Sequence, residues 1–290
     1  MTDEPESSKA ASQSDAPKMT HGAVAFLDIL GAKGIWKRVE PELLIKRIEY
    51  VRKDRKSLFR EVLGNCAKYD VEQVGNLKKE NLEIAIISDT LIITFANNNP
   101  SVAIQIVAMI SSEIIASMLF PEDYDMQTKD NYFRLLLRGA IGFGTYCSGN
   151  NMFIGEAIDD VAEWYEQHDL IGAIITPRAR YLLNKQIGNR HIKEEMARRR
   201  LVEYKLPTKN GKLKLMCVNW PVWYRDHINN EKGGFSKDSS ELKKNIFNAF
   251  SEIGNISPAI DSKYRTTELF FHASLKQAEG KEIAPLLVLD

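Results

Sequence analysis

Two aspartates stand where an acid is least expected. Asp28 interrupts the apolar run GAVAFLDILG (residues 22–31), and Asp89 sits in IISDTLIITF (86–95), between two stretches rich in β-branched residues. A carboxylate inside segments this apolar is costly to bury unless it is paired or binds a cation. If the two segments are neighbouring strands, both carboxylates reach one point. Two hard oxygen ligands at one point suit Mg²⁺ or Mn²⁺, which take one or two protein carboxylates and let substrate phosphates complete the shell. Two such ions would activate an attacking oxygen and stabilise a leaving phosphate. The spacing equally allows Asp28 to cap the turn before Gly31 and Asp89 simply to shape a hairpin. The glycines of ILGAKG (29–34) let backbone N–H groups approach a triphosphate. This is not a Walker A loop, which ends in Gly-Lys-Ser/Thr. Arg138, in the later strand-like segment YFRLLLRGAIGFGT (132–145), is a phosphate ligand or an ion-pair partner with equal reason.

The elements that must position these residues follow from periodicity and punctuation. The segment from Gly22 reads as a central strand buried on both faces. A helix starts at Pro41 and carries Leu44, Ile48, Val51, Leu58 and Val62 at helical spacing. Residues 82–95 read as a hairpin turning at Ser88-Asp89-Thr90. Ser101 reads as the N-cap of a helix running to about Met118. Beyond the strand at 132–145 come a turn through 148–151, a short strand at 152–155, a helix at 156–167, a strand at 171–175 and a helix from Pro177 to about Gln186. Asn210-Gly211 marks the turn of a late hairpin formed by residues 201–206 and 212–220. Helices close the chain at about 239–252 and 264–276. Residues 1–20, rich in Ser, Ala, Pro and acids, read as a disordered leader. A domain follows over 21–220, and residues 221–290 form a C-terminal helical extension packed on it. The whole reads as one α/β unit with a largely antiparallel sheet.

Composition excludes several function classes. Thirty-nine basic residues balance 39 acidic ones, which argues against a protein that coats nucleic acid or an anionic membrane. Cys66, Cys147 and Cys217 form neither a disulfide framework nor a metal-knuckle pattern and fit reduced thiols in a cytoplasmic protein. No run of eighteen apolar residues occurs, and no secretory signal pattern is visible in the N-terminal residues. The five histidines lack ligand spacing, so neither a zinc site nor a Ser-His triad is supported. The basic run 198–200 reads as a solvated face, Asp123, Asp125 and Asp130 as surface acids, and the cluster WPVW (220–223) as packing.

FLDILG (26–31), ISDT (87–90), and LRGAIG (137–142) leading to GEAID (155–159) resemble, in order and interval, the core blocks of class III nucleotidyl cyclases over roughly residues 22–220. The resemblance implies a ferredoxin-like antiparallel sheet with helices packed on it (α+β). It implies a homodimer paired head to tail, with active sites at the interface. Asp28 and Asp89 would be the catalytic acids and, with Ile29, would hold two divalent ions, Mn²⁺ or Mg²⁺. Leu30, Gly31 and Ala32 would cradle the phosphates with their backbone, and Arg138 would contact the substrate.

The departures from that family are equally informative. Purine cyclases of the class carry a Lys and an Asp that read the base, at the positions of Ala85 and Met152. Neither residue here can hydrogen-bond a purine edge. The family's transition-state Asn and Arg align with Asp159 and Glu163, which would repel developing negative charge. Arg138, Arg178, Arg180, Lys205 and Lys209 are the basic residues left for that role. Keeping the metal acids while losing the purine readers is similar to the pyrimidine cyclases of bacterial Pycsar anti-phage systems. Those convert UTP or CTP to a cyclic nucleotide messenger for a separate effector protein. A pyrimidine leaves room for a bulkier pocket wall, for which Tyr50 is the candidate.

Overall fold

The structure is a computed structural model, and it describes residues 18–32, 35, 39–53, 60, 62, 78–124, 133–149, 152–186, 200–231, 239–253 and 258–279. The strands are β1 (Lys18–Ile29), β2 (Leu82–Ile87), β3 (Thr90–Ala96), β4 (Leu137–Gly149), β5 (Met152–Ile154), β6 (Gly172–Ile175), β7 (Leu201–Thr208) and β8 (Gly211–Val218). They form one sheet in the order β2-β3-β1-β4-β6-β8-β7, with β5 paired to β4. The helices are α1 (Pro41–Lys53), α2 (Pro100–Leu119), α3 (Glu156–Trp164), α4 (Pro177–Gln186), α5 (Trp220–Glu231), α6 (Ser239–Glu252) and α7 (Pro258–Ala278).

The first half, β1-α1-β2-β3-α2-β4, with β4-β1-β3-β2 adjacent and antiparallel, is the ferredoxin-like split βαβ arrangement that the resemblance implied. One pair departs from the antiparallel rule. β4 and β6 run parallel, which requires a crossover, and α3 supplies it. The central strands read as apolar runs because helices cover the sheet. α2 packs on β1, β3 and β4 and is itself covered by α5, while α3 packs on β4 and β1. α2 is apolar all round, as a helix enclosed on every side must be. It is the described helix long and apolar enough to cross a membrane, and 89% of its apolar window is buried inside the protein.

Several boundaries differ from the periodicity reading. β1 begins at Lys18, not Gly22, because Lys18, Met19 and Thr20 pair with Ser148, Cys147 and Tyr146. That pairing also carries β4 through to Gly149 rather than stopping it at Thr145. The cap of α2 is Asn99, not Ser101. The Asn99 side-chain oxygen accepts from Ser101 N–H and Val102 N–H at 3.0 and 3.4 Å, and Pro100 takes the first helical position. α3 ends at Trp164 instead of Gln167. Trp220 opens helix α5, where residues 212–220 read as strand. The tryptophan and Tyr224 are fully buried on α2, with Tyr224 stacked on Phe120 at 4.1 Å. Arg200, expected on a solvated face, is 8% exposed, its carbonyl accepting Asn219 N–H at the hairpin base. Asp123, expected as a surface acid, accepts the Tyr224 hydroxyl at 2.6 Å. The proposed helical positions Val51 and Leu58, the leader residues 1–17, Asp125 and Asp130 lie outside the residues whose side chains are described.

Gly139 sets the spacing of β1 and β4 beside the site. A Cβ there would sit 1.9 Å from the Phe26 carbonyl oxygen and 2.7 Å from a Leu27 methyl. The backbone cannot yield without breaking the ladder that places Asp28 opposite Arg138. Gly139→Ala is therefore expected to destabilise the protein by about 3 kcal/mol, lowering Tm by roughly 10 °C. A calorimetric Tm within about 2 °C of the parent would contradict this.

Candidate active site

Strand register brings Asp28 and Arg138 together at one end of β1, beside the turn that carries Asp89. Asp28 lies opposite Thr90 of β3 on one side and opposite Arg138 of β4 on the other. The β2–β3 turn is two residues long, and Ser88, with φ 58°, is the one described non-glycine residue in the left-handed region. That conformation closes the tight turn and presents Asp89 beside Asp28. Asp89 is tied there through its own backbone, since its carbonyl accepts Ile29 N–H at 3.0 Å. Thr90 Oγ1 approaches Asp28 Oδ1 at 3.5 Å.

The electrostatics match two acids held close. The Asp28 carboxyl lies above its ordinary value, first because burial penalises its charge and next because Asp89 repels it. Arg138 opposes both effects, with one guanidinium nitrogen 3.7 Å from Asp28 Oδ2. The same nitrogen is 3.7 Å from Glu166 Oε1, and the other terminal nitrogen donates to the Glu166 carbonyl at 3.4 Å. Lys209, in the β7–β8 turn, stands 3.5 Å from Glu166 Oε2. Arg138 thus connects to Asp28 as an ion-pair partner in this structure, and Lys209 joins through Glu166.

The turn after β1 holds Gly31 at φ 74°, a conformation that favours glycine. The N–H groups of Ile29, Leu30 and Ala32 already donate to the carbonyls of Asp89, Leu136 and Ile29. Lys33 and Gly34 lie outside the described residues. Tyr50 falls in the last part of α1, and its side chain is outside the description. Ala85 is on β2 opposite Ile92, and Met152 opens β5 with 58% of its surface exposed. Arg178 pairs with Glu156 at 2.9 Å and Arg180 with Glu203, while Lys205 faces Lys214 across the β7–β8 ladder.

Glu166 is the site residue that sequence reasoning missed. Its position read as the last turn of a helix, and only the early end of α3 turns it toward Arg138. The segment that carries it is clamped to the β7–β8 hairpin. Lys209 N–H donates to the Gln167 carbonyl at 2.9 Å, Asp169 N–H donates to the Pro207 carbonyl at 3.1 Å, and His168 bridges Thr208. His168 is 1% exposed. Leu170 N–H donates to its Nδ1 at 3.2 Å, which leaves the proton on Nε2 to donate to the Gly139 carbonyl at 2.9 Å. The imidazole therefore links the Glu166 segment to the strand that carries Arg138.

A divalent cation fits this donor set. Asp28 and Asp89 present carboxylates, burial and mutual repulsion leave Asp28 short of positive charge, and the Ile29 carbonyl retains a second lone pair beyond the bond from Ala32 N–H. Among the described residues no group of three or more His, Cys, Asp or Glu is arranged to hold a metal by itself. Ligands from a substrate would have to complete the shell.

No family model matches the chain, and the search of curated proteins gave no match. Among solved structures the chain is similar to the adenylyl cyclase CyaB from P. aeruginosa, at 10% identity and TM-score 0.41 over 70% of this chain and 95% of that one. It is similar to the catalytic core of a rhodopsin-guanylyl cyclase with converted specificity in complex with ATPαS, at 12% identity and TM-score 0.42 over 70% and 97%. An adenylate/guanylate cyclase/hydrolase from Silicibacter pomeroyi follows at 13% identity and TM-score 0.40 over 70% and 96%. At likenesses of this size, the functional reading rests on the residues of the site.

Proposed function

We propose that the chain is a nucleotidyl cyclase, and that it converts UTP to 3′,5′-cyclic UMP and pyrophosphate. The observation that carries this reading is the register of β1 with both neighbours, which sets Asp28 beside Asp89 and opposite Arg138. Asp28 and Asp89, with the Ile29 carbonyl, would hold Mn²⁺ or Mg²⁺. Such a cation, when bound, supplies Lewis acidity toward the ribose hydroxyl and the phosphate oxygens. The chain's own groups would do the rest. Arg138 and Lys209 neutralise the triphosphate, and the Cβ-free surface of Gly31 lets it approach Leu30 and Ala32. In-line attack of the 3′-hydroxyl on the α-phosphate then needs chiefly positioning and charge neutralisation, so no histidine base is required.

The pyrimidine preference rests on Ala85 and Met152, which offer no polar atom to a purine edge, and on Tyr50 as a wall of the base pocket. Tyr50→Ala is expected to raise turnover of ATP and GTP relative to UTP by about tenfold. An unchanged ratio in a competition assay removes Tyr50 from the pocket. CTP is the neighbouring alternative, because uracil and cytosine differ in one carbonyl against one amine. Asp159 and Glu163, acidic where the resembled family carries Asn and Arg, favour a second reading as a nucleotide sensor without catalysis.

The resemblance further suggests a cytoplasmic homodimer that makes a messenger in anti-phage defence, read by a separate effector, with no direct contact to nucleic acid or membrane. A second copy has an apolar surface to meet. Met19, Cys147 and Ile154 lie in one register row across β1, β4 and β5, and Met19, Ile154 and nearby Met152 are 63%, 61% and 58% exposed.

The deciding experiment incubates purified protein with equimolar ATP, GTP, CTP and UTP plus Mn²⁺ and identifies cyclic products by mass. Cyclic UMP alone is the expected result. Cyclic CMP moves the base assignment, cyclic AMP or GMP overturns the reading of Ala85 and Met152, and absence of product together with nucleotide binding supports the sensor.

A further inference from the structure

Arg138 is held unlike Arg134, which is enclosed to the same degree. Arg134, also with 11% of its side chain exposed, makes short bonds on every side: 2.7 Å to the Leu119 carbonyl, 2.9 Å to Glu122 and 2.7 Å to Glu252. Arg138 is equally enclosed, yet its contacts run from 3.4 to 3.7 Å, and its buried Nε has no hydrogen-bond partner. Charge-assisted bonds settle near 2.7–2.9 Å when geometry allows. Here one nitrogen stands midway between two acids, 3.7 Å from each. Such a guanidinium has two partners and a full bond to neither.

From this geometry we propose that Arg138 is a displaceable counter-ion of Asp28, and that Glu166 is the positioning residue that takes it when a divalent cation binds the aspartate pair. This rests on the cyclase reading above. The two acids differ in what they can release. Asp28 is the metal acid, with 16% of its side chain exposed, and a divalent cation at its carboxylate competes with the guanidinium for the same charge. Glu166 is 45% exposed and is steadied by Lys209. Moving the guanidinium fully onto Glu166 needs only side-chain rotation, because the Glu166 carbonyl already accepts from it. Arg138 would then remain beside the site, pointed where the substrate's phosphates must lie. Without Glu166 the guanidinium has no second carboxylate and stays on Asp28, in competition with the metal.

The test is Mn²⁺ binding to the full chain without nucleotide, followed by electron paramagnetic resonance, for wild type, Arg138→Met, Glu166→Gln and the double variant, with each fold checked by circular dichroism. Arg138→Met is expected to tighten Mn²⁺ binding about tenfold and Glu166→Gln to weaken it about fivefold. In the Arg138→Met background, Glu166→Gln is expected to change affinity by less than about twofold, because the pair acts as one unit. Equal effects of Glu166→Gln in both backgrounds would show a through-space charge only and overturn the proposal, leaving the cyclase reading intact. Wild type binding Mn²⁺ no better than Asp28→Asn, with no cyclic product from the nucleotide mixture, would overturn both.

Discussion

Asp28→Asn is expected to yield a protein that folds, melts at a higher temperature at neutral pH, and forms no cyclic nucleotide. The substitution keeps the shape of the side chain and removes its charge. In the proposed mechanism Asp28 holds the cation that stabilises transition-state charge, and losing such stabilisation lowers turnover by about a thousandfold. The stability change has the opposite sign. Burial and the neighbouring Asp89 raise the Asp28 carboxyl above its unfolded value, so the folded state takes up this proton more readily than the unfolded chain. The resulting stability is present at acid pH and is lost as pH rises through the folded value. At neutral pH the ionised carboxylate opposes folding, and asparagine relieves it. Each kcal/mol gained raises Tm by about 2–4 °C in a domain of this size. Scanning calorimetry of both proteins at pH 7 and near pH 3.5 checks the sign, because the advantage of asparagine must shrink as Asp28 protonates. A lower Tm for the variant at pH 7 would show that the pairing with Arg138 outweighs burial and the repulsion from Asp89, and cyclic product surviving the change would remove Asp28 from catalysis.

The second large effect belongs to His168. Its ring is fully buried, and burial pulls its pKa down to about 4 from 6.5. Here the unfolded chain binds the proton more readily than the folded one. The stability from keeping the ring neutral is complete above about pH 6.5 and is lost as pH falls toward 4. Over that window the loss is roughly 3 kcal/mol. His168→Ala strands the Gly139 carbonyl and the Leu170 N–H that the ring now serves and is expected to lower stability at pH 7 by about 3 kcal/mol. It should also flatten the acid limb, so the two proteins converge in stability near pH 4. Urea unfolding at four or five pH values measures both. Parallel pH profiles for the two proteins would show that the ring does not titrate with folding.

How far the site was legible in the sequence depends on the kind of signal each residue left. Asp28 and Asp89 were visible because each breaks an apolar run, and register then made them neighbours. Arg138 was visible for the same reason, though its partnership with Glu166 was not. Glu166 belongs to a polar stretch whose end no proline or glycine marks, so its position depended on where α3 stops. That point is decided by the hairpin that clamps residues 167–169. His168 looked like one of five scattered histidines. Only burial on the Gly139 carbonyl distinguishes it.

Local pattern also determined most of the elements. Period-3.6 apolar spacing and Pro177 at a helix start placed α4 and α6 at the bounds the structure shows, and the apolar runs placed the β2–β3 hairpin to within one residue, because these signals act within a few residues of chain. The pairing of Lys18–Thr20 with the far end of β4, the parallel β4–β6 contact, and the choice of helix over strand at Trp220 were decided by tertiary structure. Each depends on a partner distant in sequence, and an aromatic cluster such as residues 220–224 satisfies strand and helix patterns alike until the surface of α2 selects one. Broken apolar runs marked Asp28, Asp89 and Arg138 as the side chains that could bring chemistry to this protein. Tertiary structure decided which charge each of them faces, because electrostatic interaction depends on distances of a few ångströms that only the packed chain sets.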